Sequence, residues 1–188
     1  KNQDADFKKK FKDLKYSRNA GIPVRFHDVH LLSCDSNMSF VEFHLTYRDL
    51  SYDLTNFVVP DSIVNIAVHA PELFEDDNIL DLASKDVSVR ERSILSMSKV
   101  VEVATKLGEL VGQAKVPIIV NVGGQTTNGF ISSDLRAQLY KNVGESLERI
   151  STPEVDLLIQ TMPPFPRHFG GQSFHNLFVD PEETLAFC

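Results

Sequence analysis

The sequence predicts an α/β fold of the barrel type, built on a parallel sheet in which strands and helices alternate along the chain. Five short apolar segments place polar residues at alternate positions near their ends, and segments with helical spacing separate them. Right-handed crossovers between such strands give a parallel sheet, and polar strand ends that aim at one point are typical of a barrel mouth. The predicted strands are residues 23–27, 41–45, 63–69, 117–121 and 155–160.

The chain begins with a predicted helix over residues 4–19, where Phe7, Phe11 and Leu14 form an apolar stripe. We expect residues 1–20 to be an N-terminal helix or a linker from a preceding domain, and residues 21–188 to form a partial barrel domain. Because the first residue is Lys1 rather than Met and the last helix is unfinished at Cys188, we expect the chain to be an excised piece of a longer protein.

The connections between the strands contain the other predicted helices. A short helix is predicted within residues 46–57, and a long one within 70–115, where apolar residues repeat every three or four positions. Ser132 or Ser133 is the predicted N-cap of the next helix. Asp180 followed by Pro181 predicts the start of the last one. Residues 123–129 are a predicted polar loop with three glycines, and residues 163–176, rich in Pro, Gly and aromatic residues, are a second predicted loop.

Composition and charge exclude several classes of protein. An apolar fraction of 42% in 188 residues is that of one globular domain rather than a disordered chain. The net charge of −7 argues against non-specific binding to DNA or RNA, which needs a surplus of Lys and Arg. No apolar run approaches the roughly 18 residues of a membrane span. Cys34 and Cys188 are too few for a disulfide scaffold, so we expect a reducing cytoplasm.

The ends of the first two predicted strands carry candidate catalytic residues. Glu42 and His44 form either a base with its orienting carboxylate or a structural pair inside the barrel. His27 with Asp28 either contributes to catalysis or substrate orientation, or caps the loop that follows. Arg25 either holds a phosphate or carboxylate group of a substrate, or pairs with Glu42.

Candidate substrate-binding residues lie at the ends of the last two predicted strands and in the loop after them. Asn121 and Gln160 end their strands on the side of the mouth. Arg167, His168 and His175 lie in the loop after the fifth strand, which is either a lid over a sugar or a loop without function.

One glycine pair and the two cysteines carry weaker signals. The backbone amides of Gly123 and Gly124 could face an oxyanion or phosphate, although turn geometry alone explains the pair. Neither cysteine has a sequence context that lowers the pKa of a thiol, so we do not expect nucleophilic catalysis.

Three motifs resemble a known superfamily. They are His69-Ala-Pro-Glu-Leu-Phe, Ile119-Val-Asn-Val-Gly-Gly and Ile159-Gln-Thr-Met-Pro-Pro, each at the end of a predicted strand. They resemble the divalent-metal TIM barrels of the sugar-phosphate isomerase/epimerase, xylose isomerase and endonuclease IV superfamily. The resemblance covers residues 20–188 and implies about five of the eight strand–helix units of such a barrel, with the site at the C-terminal ends of the strands.

Two further segments are similar to a narrower group. Gly21-Ile-Pro-Val-Arg-Phe-His-Asp28 and Val41-Glu-Phe-His-Leu-Thr-Tyr-Arg-Asp-Leu50 look like the isomerase-like domain appended to some proteins of the sialic-acid-synthase type, the N-acetylneuraminate synthase family. That resemblance implies a role in sialic or nonulosonic acid biosynthesis.

The superfamily resemblance also implies a divalent metal, here Mn, Zn or Co. His69 matches a histidine that the endonuclease-like branch uses as a ligand, although a hydrogen-bonded histidine lining the barrel is the alternative. Gln160 occupies the position of the carboxylate that usually closes strand five as the first ligand, which puts the metal in doubt. The resemblance places the other ligands on strands six to eight, so we expect no complete metal site within this chain if it is the whole molecule.

These observations predict a sugar-phosphate isomerase/epimerase-like domain that acts on or binds a phosphorylated or acidic sugar. The alternative is a non-catalytic carbohydrate-binding or assembly domain that has lost its metal site, and a metal-dependent abasic-site nuclease ranks third. A five-stranded sheet leaves two edges unpaired, so we expect a second chain or domain, or the N-terminal helix, to cover it.

Overall fold

The computed structural model describes residues 21–34, 38–168 and 171–188. Five strands form one parallel sheet in the order β1-β2-β3-β4-β6, and three short strands form a second sheet in the order β5-β8-β7. The parallel strands are β1 (Gly21–Val24), β2 (Phe40–His44), β3 (Asn65–His69), β4 (Val116–Val120) and β6 (Val155–Ile159). The short strands are β5 (Gln125–Thr126), β7 (Arg167–His168) and β8 (Gln172–His175). The predicted parallel α/β fold is therefore confirmed, as a partial barrel.

In the described part of the chain, four α-helices connect or follow the strands. They are α1 (Val29–Cys34), α2 (Val87–Val111), α3 (Ser133–Ile150) and α4 (Pro181–Phe187). Two 3-10 helices cover Tyr47–Ser51 and Glu75–Asp77, the first of them within the predicted short helix of residues 46–57. The helix predicted over residues 4–19 lies outside the described residues.

Side chains at the helix starts explain where the long and the last helix begin. The carboxylate of Asp86 accepts from the backbone amides of Ser88 and Val89, which would otherwise lack partners at the start of α2. Asp180 caps α4 in the same way, with Pro181 at the first turn, as the sequence predicted.

The first strand ends earlier than predicted. Strand β1 stops at Val24, whereas the alternating pattern predicted a strand through residue 27. The carboxylate of Asp28 accepts from the backbone amide of Arg25 at 2.6 Å, and the amide of Val29 donates to the Arg25 carbonyl at 3.1 Å. These local bonds form a turn that begins α1, so Arg25 and His27 lie beyond the strand.

The two faces of the parallel sheet differ in burial. One face belongs to a single hydrophobic core together with the apolar stripe of α2, in which Met97 and Leu107 are fully buried. Burying a side chain of this size contributes about 1.5–3 kcal/mol. The opposite face carries Glu42 and Leu158, and Leu158 is 49% exposed on the terminal strand β6. That face is the interior of the partial barrel.

The small antiparallel sheet lies at the C-terminal end of the parallel strands. Strand β5 follows β4 directly, and Gln125 pairs with His175 of β8. The side chain of Asn176 fastens this sheet, because its amide donates to the Gly124 carbonyl at 2.9 Å and its oxygen accepts from the Ile131 amide at 3.0 Å. The sequence predicted loops here. Among the described residues, no helix is long and apolar enough to span a membrane.

Candidate functional site

Two histidines, His44 and His69, lie side by side at the ends of neighbouring strands, and the carboxylate of Glu42 contacts one of them. We call these three residues the histidine pair, after the two rings. His44 and His69 are partners in the register of β2 and β3. Glu42 lies two residues before His44, so both side chains project from the interior face of the sheet. Parallel strands bring their C-terminal ends to one edge, and the polar residues that end them therefore come together there.

The Glu42 carboxylate orients the His44 ring. Its Oε1 lies 2.6 Å from Nε2 of His44, and the side chains are 28% and 37% exposed. In a neutral ring Nε2 is then the donor, which leaves Nδ1 as the atom that can accept a proton. This is the arrangement of a general base with its orienting carboxylate.

The His69 ring stacks on the His44 ring, and a hydrogen bond to the backbone fixes the tautomer of His69. The two rings stack with centroids 4.7 Å apart and an interplanar angle of 24°. Nδ1 of His69 is 3.1 Å from the carbonyl oxygen of Ala70, which can only accept, so Nδ1 carries the hydrogen. Nε2 therefore keeps its lone pair for a substrate hydroxyl or a metal ion.

Of the candidate residues after β1, Arg25 lies near the histidine pair and His27 does not. The guanidinium of Arg25 donates to the backbone carbonyl of His44, which places Arg25 at the same strand end. His27 is 82% exposed, and its Nε2 is 3.9 Å from the carboxylate of Asp28. The structure therefore brings Arg25 to the histidine pair but leaves His27 on the surface, next to the carboxylate that caps the turn.

A second polar group, which we call the Glu72 cluster, consists of Glu72, Asn121 and Arg167. Oε1 of Glu72 accepts from Nδ2 of Asn121 at 3.2 Å, and Oε2 accepts from Arg167 at 3.3 Å. Asn121 is buried, whereas Glu72 and Arg167 are about 40% exposed. One carboxylate thus joins the end of β4 to strand β7.

Gln160 and His175 lie beside this cluster. Register places Gln160, which follows β6, next to Asn121 across the strand pair. His175 is fully buried in β8. Burial lowers the pKa of His175, the charge of Arg167 lowers it further, and the charge of Glu72 raises it. The imidazole is therefore held neutral near neutral pH.

The amides of the glycine pair are already used within the protein. The amide of Gly123 donates to Oδ1 of Asn121 at 3.1 Å, and that of Gly124 donates to Oδ1 of Asp81 at 2.9 Å. Both glycines have positive φ, and a Cβ on Gly123 would lie 2.6 Å from Cα of Asp81. The two glycines therefore allow this turn to lie close against the backbone of Asp81, and their amides are not free to bind an oxyanion. Burial raises the pKa of the Asp81 carboxyl.

The sequence matches one protein family over most of its length. The model of the xylose isomerase-like TIM barrel matches residues 35–188. The chain belongs to this family. A search of the curated proteins finds no match.

Two solved structures are similar to this family member at low identity. A D-tagatose 3-epimerase-like protein superimposes with a TM-score of 0.52 and 19% identity, over 88% of this chain and 59% of the other. The TTHB071 protein from Thermus thermophilus, soaked with ZnCl2, gives a TM-score of 0.48 and 17% identity, over 76% of this chain and 55% of the other. The chain thus spans less than two thirds of the length of both, and the likeness to the D-tagatose 3-epimerase-like protein shows the fold alone.

The described residues of this family member do not form a divalent-metal site by themselves. Within the part of the chain that the structure describes, no three His, Cys, Asp or Glu side chains are arranged to hold a metal ion. Glu42 is paired with His44, and Gln160 offers a neutral amide where the family resemblance implies a carboxylate. His69 Nε2 remains as a single nitrogen ligand, which is too few for a zinc or manganese site.

Sequence reasoning missed the role of Glu72 and left His175 as a loop residue. Glu72 follows His69 by three positions in a turn, and nothing in its spacing indicated that it would join Asn121 to Arg167. His168, which was grouped with Arg167, lies exposed on β7. Of the expected substrate-binding residues, the structure brings Asn121, Gln160 and Arg167 to one side of the mouth.

Proposed function

We propose that this chain is the sugar isomerase/epimerase-like part of its barrel and binds a phosphorylated or acidic sugar at the strand ends. The observation that carries the proposal is the 2.6 Å contact between Glu42 and His44, with His69 stacked on the His44 ring. An imidazole oriented by a carboxylate at the C-terminal end of parallel strands can act as a general base.

Proton transfer at the carbon beside a sugar carbonyl fits these residues. Nδ1 of His44 takes the proton from that carbon, and the electron pair left behind forms an enediolate with the carbonyl. Glu42 then stabilises the imidazolium through its bond to Nε2. Return of the proton to the neighbouring carbon, while the hydroxyl proton of that carbon passes to the former carbonyl oxygen, gives an isomer. An epimer forms when a solvent acid protonates the original carbon from the opposite face and His44 releases its proton to solvent. Nε2 of His69 accepts from a substrate hydroxyl.

Of the two arginines near the mouth, Arg25 suits the acidic part of such a sugar, and Arg167 lies on the side proposed for its uncharged part. Arg25 uses one donor on the His44 carbonyl and has others to offer a phosphate or carboxylate. Arg167 pairs with Glu72 at 3.3 Å, and both side chains remain accessible. Asn121, Gln160 and His168 complete the proposed substrate-binding set, and His27 is assigned a minor role at the rim.

A second candidate function is a carbohydrate-binding or assembly domain without catalysis. The amide of Gln160 and the absence of a three-ligand metal group among the described residues favour it. Such a domain would keep the mouth and its hydrogen bonds but move no proton.

The wider setting is also a proposal. Similarity to domains appended to sialic-acid-synthase-type proteins supports a role in sialic or nonulosonic acid biosynthesis in the cytoplasm. We infer that residues 1–20 link this barrel to a preceding domain and that residues 21–188 are the barrel part. A second chain or domain is then expected to cover the open sheet edge at the terminal strand β6, where Leu158 is exposed.

Exchange of the carbon-bound hydrogen with solvent deuterium tests catalysis directly. The chain is incubated in D2O with D-fructose 6-phosphate, with N-acetylmannosamine 6-phosphate, and with D-tagatose, which the D-tagatose 3-epimerase-like neighbour suggests. NMR follows deuterium at the carbon beside the carbonyl. We expect exchange that falls about 100-fold or more in His44→Ala, since a general base contributes roughly that much.

Glu102→Gln, an exposed change on α2, is the matched control and should leave exchange unaltered. Sugar binding without exchange would support the non-catalytic alternative. If none of the sugars binds, the proposed function is wrong, and of the second candidate only the assembly role remains.

A metal titration tests the remaining question of the cofactor. Mn²⁺, Zn²⁺ and Co²⁺ are titrated into the wild type, His69→Ala and Gln160→Glu. Stoichiometric binding that His69→Ala abolishes would support a working metal site. Binding that appears only in Gln160→Glu would indicate that the amide has removed the site.

A further inference from the structure

Three buried polar atoms beside the Glu72 cluster have no hydrogen-bond partner among the described residues. They are Oε1 of Gln160 and both ring nitrogens of His175. His175 is fully buried, at 0% exposure. An unpartnered buried polar group costs about 1–3 kcal/mol, so folded proteins rarely keep several in one place without a partner from outside the chain.

The three atoms belong to the same side of the mouth. The backbone amide of Gln160 donates to the Val120 carbonyl, which places Gln160 across from Asn121. Asn121 donates to Glu72, and Glu72 accepts from Arg167. The charges of Glu72 and Arg167 both act on His175. The Glu72 cluster therefore connects the positions of Gln160 and His175.

The hydrogen-bonding needs of these atoms restrict what can satisfy them. A neutral imidazole has one donor and one acceptor, and the amide oxygen adds a second acceptor. A phosphate or carboxylate, which only accepts, would satisfy one of the three atoms. A metal cation would satisfy the two acceptors but not the donor. Hydroxyl groups both donate and accept, so two of them satisfy all three.

The local charge agrees with an uncharged partner. Glu72 and Arg167 form an ion pair at 3.3 Å, so the cluster carries no net charge when His175 is neutral. A charged group placed there would lose hydration without gaining an opposite charge. Uncharged hydroxyl groups lose less hydration free energy on burial than charged groups do.

We propose that His175 and Gln160 bind uncharged hydroxyl groups of the sugar and thereby determine specificity at this side of the mouth. The inference rests on the proposed function, since it assigns the polar, uncharged part of the substrate to the Glu72 side and leaves the proton transfer to the histidine pair. His175 is a binding residue in this assignment and moves no proton.

Two apolar substitutions of similar size test the assignment in the full chain. His175→Phe and Gln160→Leu remove the three atoms, and Gln172→Leu, an exposed change on the same strand as His175, is the control. The probes are D-tagatose, which has hydroxyl groups and no charge, and inorganic phosphate. We expect each test variant to bind D-tagatose about tenfold more weakly, from the loss of one or two hydrogen bonds. Affinity for phosphate should not change.

NMR of the imidazole nitrogens gives a readout that folding defects do not imitate. D-tagatose should shift the ring resonances of His175 in the wild type and in Gln172→Leu. Thermal unfolding checks that each variant is folded. If His175→Phe does not fold, Gln160→Leu still tests the assignment.

Three results would overturn the assignment: wild type that does not bind D-tagatose, unchanged affinity in both test variants, or equal weakening for phosphate. Unchanged affinity would mean that internal water satisfies the buried atoms. The proposed function fails separately, when His44→Ala leaves deuterium exchange intact or when no sugar undergoes exchange.

Discussion

The two sides of the mouth satisfy their polar groups in different ways. In the histidine pair, the side chains of Glu42 and His44 are partners of each other and remain about one third exposed. On the Glu72 side, His175 is fully buried and its ring nitrogens have no partner within the described residues. Paired, accessible groups can exchange protons with a bound molecule, whereas buried groups without a partner need one to complete their hydrogen bonds. In the proposed function, proton transfer and hydroxyl recognition therefore lie on opposite sides of one strand edge.

Removing the side chain that fastens the Glu72 side should have the strongest consequence. Asn176→Ala deletes bonds to the Gly124 carbonyl, the Thr126 hydroxyl and the Ile131 amide, all between 2.9 and 3.0 Å. Because buried backbone groups then lack partners, the free energy of unfolding should fall by about 3 kcal/mol. Urea denaturation measures the change.

Asn128→Ala is the control, because Asn128 is exposed in the neighbouring loop. The variant should leave the free energy of unfolding nearly unchanged. NMR signals of His44 and His69 should persist in Asn176→Ala if the two sides are independent. Loss of those signals in the folded variant would refute that independence.

The second effect is a pH dependence of stability that originates at His175. Burial and the charge of Arg167 lower the pKa of this ring below its ordinary value of 6.5 in the folded protein. Below pH 6.5 the unfolded chain therefore binds a proton that the folded chain resists, and stability falls as the pH decreases. His175→Phe should remove this part of the pH dependence. A wild type and variant with parallel profiles between about pH 5 and 7 would contradict the prediction.

A more modest change is expected from the ion pair on the other side. Glu42→Gln removes the charge beside His44 but keeps an oxygen that can accept its hydrogen. Partly exposed pairs of this kind contribute about 0.2–1 kcal/mol, so the free energy of unfolding should change by less than about 1 kcal/mol. Urea denaturation at neutral pH checks this. A loss above about 2 kcal/mol would show that the pair is far less accessible in solution than we describe.

The weakest change is a pair of opposite shifts at His175. Arg167→Gln removes a charge that lowers the pKa of His175, so that pKa should rise. Glu72→Gln removes a charge that raises it, so the pKa should fall. An NMR titration of the His175 ring measures both. Shifts of the same sign in the two variants would separate His175 from the Glu72 cluster.

Much of the fold could be predicted from the sequence because its signals are periodic. The strands β2, β3, β4 and β6 and the helix α2 follow from alternating or helical apolar patterns over five or more residues. The predicted end of β1 was wrong, because the Asp28 side chain bonds to the Arg25 amide and turns the chain. The alternation of polar and apolar residues continues through that turn, so the sequence pattern does not indicate where the strand ends.

The small antiparallel sheet and half of the site could not be predicted. Strands of two residues, such as β5 and β7, have no period to recognise. The proximity of Glu42 and His44 follows from a spacing of two residues on one strand. By contrast, Glu72 and Arg167 are 95 residues apart, so their contact depends on the tertiary fold.

The Gly123-Gly124 turn has a consequence for the order in which the molecule forms. Gly124 bonds to Asp81, 43 residues earlier, and a Cβ on it would lie 2.9 Å from the Leu177 side chain. A contact over 43 residues adds a loop-closure cost that must be met before the turn is stabilised. The turn also packs against Leu177, which follows every strand of the parallel sheet in the chain. During synthesis the strands of that sheet are therefore made before the residue that completes the packing of this turn.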